Sequence, residues 1–177
     1  MRQLQFYFLL ALAVILPMFG ISGEKEVRLT PNEIKAGILS KLPSYVQWPA
    51  KMNGKVNDKI VLGLLGDNGL KQLLEELVAG APGRPIEVRK VDLPSEINQC
   101  HVLFVPQASN ANWLALKKDV NLQGLLTMGE SDNFLQQGGV GLFKINEDPR
   151  VWFHQKNKEA AGLRISSQFL RFAKVIK

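Results

Sequence analysis

Residues 59–67, KIVLGLLGD, form an apolar run that closes on Gly66-Asp67. A strand with one wet face alternates apolar and polar residues, and this run does not. It reads as a strand buried on both faces. Residues 68–80, NGLKQLLEELVAG, follow at once with a different period. Leu70, Leu73, Leu74, Leu77 and Val78 share one helical face, and Gly80 is a candidate C-cap. A buried strand followed directly by an amphipathic helix is the repeating unit of a parallel sheet, and the rest of the chain is read outward from it.

Downstream the pattern recurs. RPIEVRKV at 84–91 alternates and reads as a second strand. CHVLFVP at 100–106 is a third and almost wholly apolar. NANWLALKKDV at 110–120 reads as a helix carrying Trp113, Leu114 and Leu116, and GLLTMGE at 124–130 as a fourth strand. GVGLFKINEDPRVWFHQ at 139–155 predicts a hairpin turning at NEDP. SSQFLRFAKVIK at 166–177 predicts a closing amphipathic helix with Ser166 as its cap.

Upstream, TPNEIKAGILSKL at 30–42 opens with a complete helix start. Thr30 is the N-cap, Pro31 takes the first helical position and Glu33 closes a capping box. Ile34, Ile38, Leu42 and Tyr45/Val46 continue at helical spacing. The expected helix covers about residues 31–47, kinked by Pro43 and ended by Pro49. Tyr45, Val46 and Trp48 then read as a plug from that helix onto the sheet, with pairing to a second copy as the other use of the same surface. The expected fold class is α/β. It is a single domain with a mostly parallel or mixed sheet, helices on both faces, and a C-terminal β-hairpin and helix.

The N-terminal segment has another logic. One arginine in MRQLQ precedes an uncharged apolar run at 6–21, with Pro17 near its end and small residues at Gly20 and Ser22. This is the pattern of a secretory signal peptide over residues 1–22, leaving 23–177 as the domain. A membrane span needs roughly 20 apolar residues, and the run falls short of that. The formal net charge of +6 comes from scattered basic residues. Without an aromatic-interleaved basic stripe, the composition argues for a solvated cationic surface and against nucleic acid as a partner. Cys100 is the single cysteine, so no internal disulfide can form, and its apolar context predicts a buried thiol.

Signatures of chemistry are sparse. The chain has no G-x-S-x-G elbow, P-loop or H-E-x-x-H, and GGVG at 138–141 lacks the Lys-Ser/Thr of a phosphate cradle. His101 adjoins Cys100 in a strand-like run, where neighbours face opposite sides, so the two make a poor pair. His101 and His154 read as structural or surface residues. No cofactor or metal is implied. One constellation remains, because ligands of open α/β sheets gather at the carboxyl ends of strands. Those ends are GDNG at 66–69, PQASNAN at 106–112 and GESDN at 129–133. They offer Asp67, Asn68, Ser109, Asn110, Ser131 and Asp132 as a polar rim, with Trp113 just beyond it as a partner anchor. The same residue types are also ordinary caps and turn formers, and Trp113 is equally readable as core.

The ordered set IKAGILSKLPSYVQWP, IVLGLLGD, GRPIEVRKV, CHVLFVPQAS, LLTMGESDNFLQQGGVGLF and AAGLRISSQFLRFAK resembles the YfiR-like proteins over nearly all of residues 31–177. That resemblance implies a small periplasmic α/β regulator without catalysis of its own. It would bind the periplasmic domain of an inner-membrane diguanylate cyclase, or a similar sensor, and hold it inactive. It further implies sequestration by an OmpA-like outer-membrane lipoprotein, and a homodimer. A periplasmic small-ligand-binding module using the strand-end rim is the alternative. Export predicts that protein isolated from its host begins near Gly23 or Glu24. N-terminal sequencing checks this, and an intact Met1 on membrane-embedded protein would refute it.

Overall fold

The computed structural model describes residues 29–49, 59–66, 69–148 and 150–177. The segment read as a signal peptide lies outside these residues. None of the helices among the described residues is long and apolar enough to cross a membrane.

The chain opens with helix α1 (Pro31–Lys41), whose start matches the sequence reading. The Glu33 amide donates to Thr30 Oγ1 at 3.3 Å, and the Thr30 amide donates back to the Glu33 carboxylate at 2.6 Å. Hydrogen bonding of the Thr30 amide, and secondarily its hydroxyl, to the charged carboxylate holds Glu33 below its ordinary pKa. The helix is shorter than expected. At Leu42 it tightens into a 3-10 turn, Leu42–Tyr45, with Pro43 in its first positions, and the chain then extends as strand β1 (Val46–Gln47). Pro43 therefore ends α1 where a kink was expected, because a proline ring has no N–H for the helical ladder.

The elements that follow are β2 (Ile60–Leu65), α2 (Lys71–Val78), β3 (Ile86–Val91), α3 (Pro94–Ile97), β4 (Val102–Val105), α4 (Asn110–Leu116), β5 (Leu126–Gly129), β6 (Gly141–Phe143) and β7 (Val151–His154). After them come α5 (Gln155–Ala160), β8 (Arg164–Ile165), α6 (Ser167–Leu170) and β9 (Ala173–Ile176). Among the described residues the main sheet has seven strands in the order β3-β2-β4-β5-β6-β7-β9, and β1 pairs with β8 separately. Every neighbouring pair in the main sheet is parallel except the β6–β7 hairpin. The order β3-β2-β4-β5-β6 is that of a doubly wound sheet, reversing direction between β2 and β4.

Each central strand feeds two cores. Ile60, Leu62 and Leu64 of β2 pack with Ala36 and Leu39 of α1 and with Leu74 of α2. Val61 and Leu65 pack on the other face with Ile97 of α3 and Trp113 of α4. Cys100 is fully buried and in no disulfide, and its thiol donates to the Glu96 carbonyl at 3.5 Å. A Cβ at Gly63 would lie 2.6 Å from its sulfur, so the thiol occupies the space that glycine leaves. His101 is also fully buried, and its Nδ1 accepts the Val61 amide at 3.1 Å. Trp48 meets the His101 ring edge-on at 5.9 Å and packs against the α1-side core. The aromatic that follows α1 is thus the plug the sequence suggested.

The closing element differs from expectation. Ser166 does cap a helix, accepting the Gln168 amide at 3.2 Å, but α6 lasts a single turn. Residues Ala173–Ile176 then form β9, parallel to β7 at the sheet edge. Lone helices this short are unstable in water, and the open side of β7 offers a ladder of backbone hydrogen bonds instead.

Between β5 and β6 the loop buries Phe134 completely. A Cβ at Gly129 would come within 2.3 Å of the Phe134 ring, and one at Gly139 within 2.1 Å. Asn157 of α5 fastens this loop by donating to the Leu135 and Gly139 carbonyls at 2.8 and 2.7 Å. Gly139→Ala should therefore destabilise the fold by about 1–3 kcal/mol, the usual cost of overpacking. A denaturant titration checks this, and an unchanged midpoint would show that the clamp is slack.

Candidate functional site

The strand-end rim is assembled only in part. Ser109 Oγ donates to the Leu65 carbonyl at 3.2 Å, across the reversal point between β2 and β4. Gly66 turns the chain there with φ +71, and a Cβ on it would lie 2.8 Å from Ser109 Oγ. Asn110 Nδ2 donates to Gln137 Oε1 at 3.2 Å, while its Oδ1 is buried without a partner among the described residues. Ser131 is buried in a turn where its carbonyl accepts the Phe134 amide at 2.8 Å. Asp132 points outward, 84% exposed, and pairs with Lys144. Asp67 and Asn68 lie outside the described residues.

Glu130 is the rim residue that sequence reading did not single out. Its carboxylate pairs with Lys35 of α1 at 2.6 Å and accepts the Gln107 amide at 3.0 Å. The Lys35 and Glu130 side chains are 12% and 21% exposed, and Lys35 Nζ stands 5.9 Å from the Phe104 ring centroid. This strut ties α1 to the ends of β4 and β5. The visible signal was a charge, Lys35, next to the apolar Ile34 on the opening helix. The rim's polar groups are therefore committed mostly to partners within the fold. Among the described residues, no cluster of three or more His, Cys, Asp or Glu side chains could hold a metal.

Trp113 is 2% exposed and belongs to the core beneath α4, so it offers no surface anchor. Trp113 and Leu116, three residues apart, face inward, and Leu114 is the exposed one at 39%.

A second concavity lies at the other end of the chain's path. A groove of about 400 Å³ is lined by α1, the 3-10 turn, the β6–β7 hairpin and α6, with Ile38, Tyr45, Val151, Phe169 and Phe172 as its apolar walls. Tyr45 and Phe169 stack at 5.4 Å, and Phe169 meets Phe153 at 6.1 Å. Phe172 is 74% exposed. Lys41, Arg150 and Asp148 supply charge at the lining. Sequence reasoning missed this groove because a continuous terminal helix would have packed those aromatics inward.

Trp113→Ala should cost about 3–5 kcal/mol of stability, as large aromatic truncations in cores do. Thermal unfolding checks this. A variant that melts like wild type would return Trp113 to the surface.

No curated protein matches the chain significantly. A crystal structure of a conserved domain protein from Vibrio cholerae O1 biovar eltor is similar at 12% identity and a TM-score of 0.51. The similarity covers 84% of this chain and 61% of that one, so this chain spans about three-fifths of that structure's length. At that identity the likeness concerns the fold alone. The YfiR/HmsC-like family model matches residues 32–174, from the first turn of α1 into β9. The chain belongs to the YfiR/HmsC-like family, whose members are periplasmic regulators in c-di-GMP signalling.

Proposed function

We propose that this chain is exported with loss of residues 1–22 and represses an inner-membrane diguanylate cyclase by binding its periplasmic domain. The observation that carries this reading is the aromatic groove with Phe172 exposed at 74% in a family of regulators. Exposed aromatics beside a concavity are typical of surfaces that bind another protein. The rim reading, a small-ligand module at the strand ends, has less support, since Ser109, Asn110 and Glu130 are bonded within the fold. Repression then needs no chemistry from this chain. It needs only tighter binding to the inactive state of the partner than to the active one. Shifting the cyclase from 99:1 active to 1:99 would take a differential of about 5.5 kcal/mol. Sequestration by an OmpA-like outer-membrane lipoprotein would relieve repression by competing for this chain, and a homodimer would present two such surfaces.

The test is reconstitution. Membrane diguanylate cyclases of the host, each with its periplasmic domain, are placed in proteoliposomes with that domain outward and supplied with lumenal GTP. Added chain should lower c-di-GMP synthesis by one of them in a saturable way. Unchanged synthesis by all of them would sink the proposal.

A further inference from the structure

The groove and the sheet edge beside it share several features. Among the described residues, strand β9 pairs with β7 on one side and ends the sheet on the other, so its outer N–H and C=O groups face away from the ladder. Val175 on β9 is 42% exposed, and Phe172 just before it is 74% exposed. The groove opens at this same point, because Val151, which pairs with Ala173, is in its wall.

The charge there is one-sided. Lys41 and Arg150 line the groove against a single acid, Asp148, and Arg171, Lys174 and Lys177 flank it along the chain. Lys41, Arg150, Arg171 and Lys177 have no ion-pair partner among the described residues. The opposite edge of the sheet is different. On β3, Glu87 is held by Lys59 and Arg89, which draw its carboxyl down to about 2.

Gly37 adds an independent sign. It sits in the interior of α1 at the groove wall, and a Cβ there would meet nothing within 4 Å. Glycine inside a helix destabilises it relative to alanine. Packing does not require it here, and the position looks onto open space in the groove.

We propose that the groove and the free edge of β9 together dock one extended acidic segment of a partner protein. The segment would pair with β9 and seat an apolar side chain against Phe169 and Phe172. Strand addition supplies the backbone hydrogen bonds, and the groove supplies side-chain selectivity. The unpaired cations select carboxylates on the incoming segment. A second copy of this chain is a poor occupant, because it would set Arg171, Lys174 and Lys177 against the same residues. This assigns a surface to the regulator proposed above, and so rests on that reading for its biological partner.

The experiment uses the full chain and a fluorescent peptide of roughly ten residues, about the length of a long strand. The peptide alternates Glu with Val around one central Phe, and its control carries Lys in place of Glu. The acidic peptide should bind at least about tenfold more tightly than the control, and rising salt should weaken it. Gly37→Ala should raise the melting temperature. Gly37→Phe should fold and lose about tenfold or more in peptide affinity. Equal binding of the two peptides, or wild-type affinity in a folded Gly37→Phe, overturns the proposal. So does a wild-type dimer that Gly37→Phe converts to monomer, since the occupant would then be a second copy. The two readings fail separately in the reconstituted cyclase. If wild type represses and Gly37→Phe represses equally, this surface is wrong and the regulator stands. If wild type never represses yet the groove binds the acidic peptide, the regulator reading fails and the docking surface stands.

Discussion

Every residue of β2 is buried, and the rest of the molecule is arranged to make that possible. A strand with two apolar faces must be covered twice and must have a neighbour on each edge. The chain supplies β3 on one edge and β4 on the other, both parallel. Parallel neighbours require crossovers, and the crossovers are the helices that cover the faces. Helices α1 and α2 close one face, and α3 and α4 close the other. Fully burying a large aliphatic side chain contributes about 1.5–3 kcal/mol, so the two cores around β2 and β4 carry much of the stability. Gly63 is the exception that fits the rule. It gives up its side chain so that Cys100 can fill the same layer.

The coverage weakens toward the far edge. The β6–β7 hairpin reverses the strand direction, and β9 joins parallel to β7. By then the long helices are used up, and α6 spans one turn only. Trp152 is covered on its exposed side by Lys174, 4.0 Å from the ring centroid, and by Lys144 at 5.5 Å. Lysine stems can shield an aromatic face while their heads stay wet. Phe172 and Val175 have no such cover. The molecule is therefore closed and self-satisfied around β2 and open around β9. Its binding potential sits where its own packing ends.

That contrast also explains the fate of the polar loops. Loops at the carboxyl ends of parallel strands are where ligands of such folds bind, because backbone groups and helix starts converge there. In this chain the polar groups there are taken up by the fold itself: Glu130 holds Gln107 and Lys35, Ser109 bonds the Leu65 carbonyl, and Asn110 bonds Gln137. A carboxylate and an ammonium buried to this degree need each other, since either left alone would lose its solvation without return. The rim works as a fastening for α1.

The sequence by itself determined the inner α/β unit, the capping box at Thr30 and Glu33, and the family. Uninterrupted apolar runs such as KIVLGLLGD and CHVLFVP admit one environment, a strand buried on both faces, and Leu70, Leu73, Leu74, Leu77 and Val78 admit one period. Local patterns of that kind carry their own answer. Only the tertiary structure decided the rest. Residues 167–176 have apolar side chains that suit a helical period and a strand period about equally, and the free edge of β7 broke the tie. Leu42 to Gln47 fitted a continuing helix until Pro43 tightened the turn and β8 offered Val46 and Gln47 a partner. Trp113 had to be inward because the face beneath α4 needed its volume, which no spacing rule within α4 could state. The groove of Tyr45, Phe169 and Phe172 joins residues more than a hundred positions apart. It exists only because those two tie-breaks fell as they did.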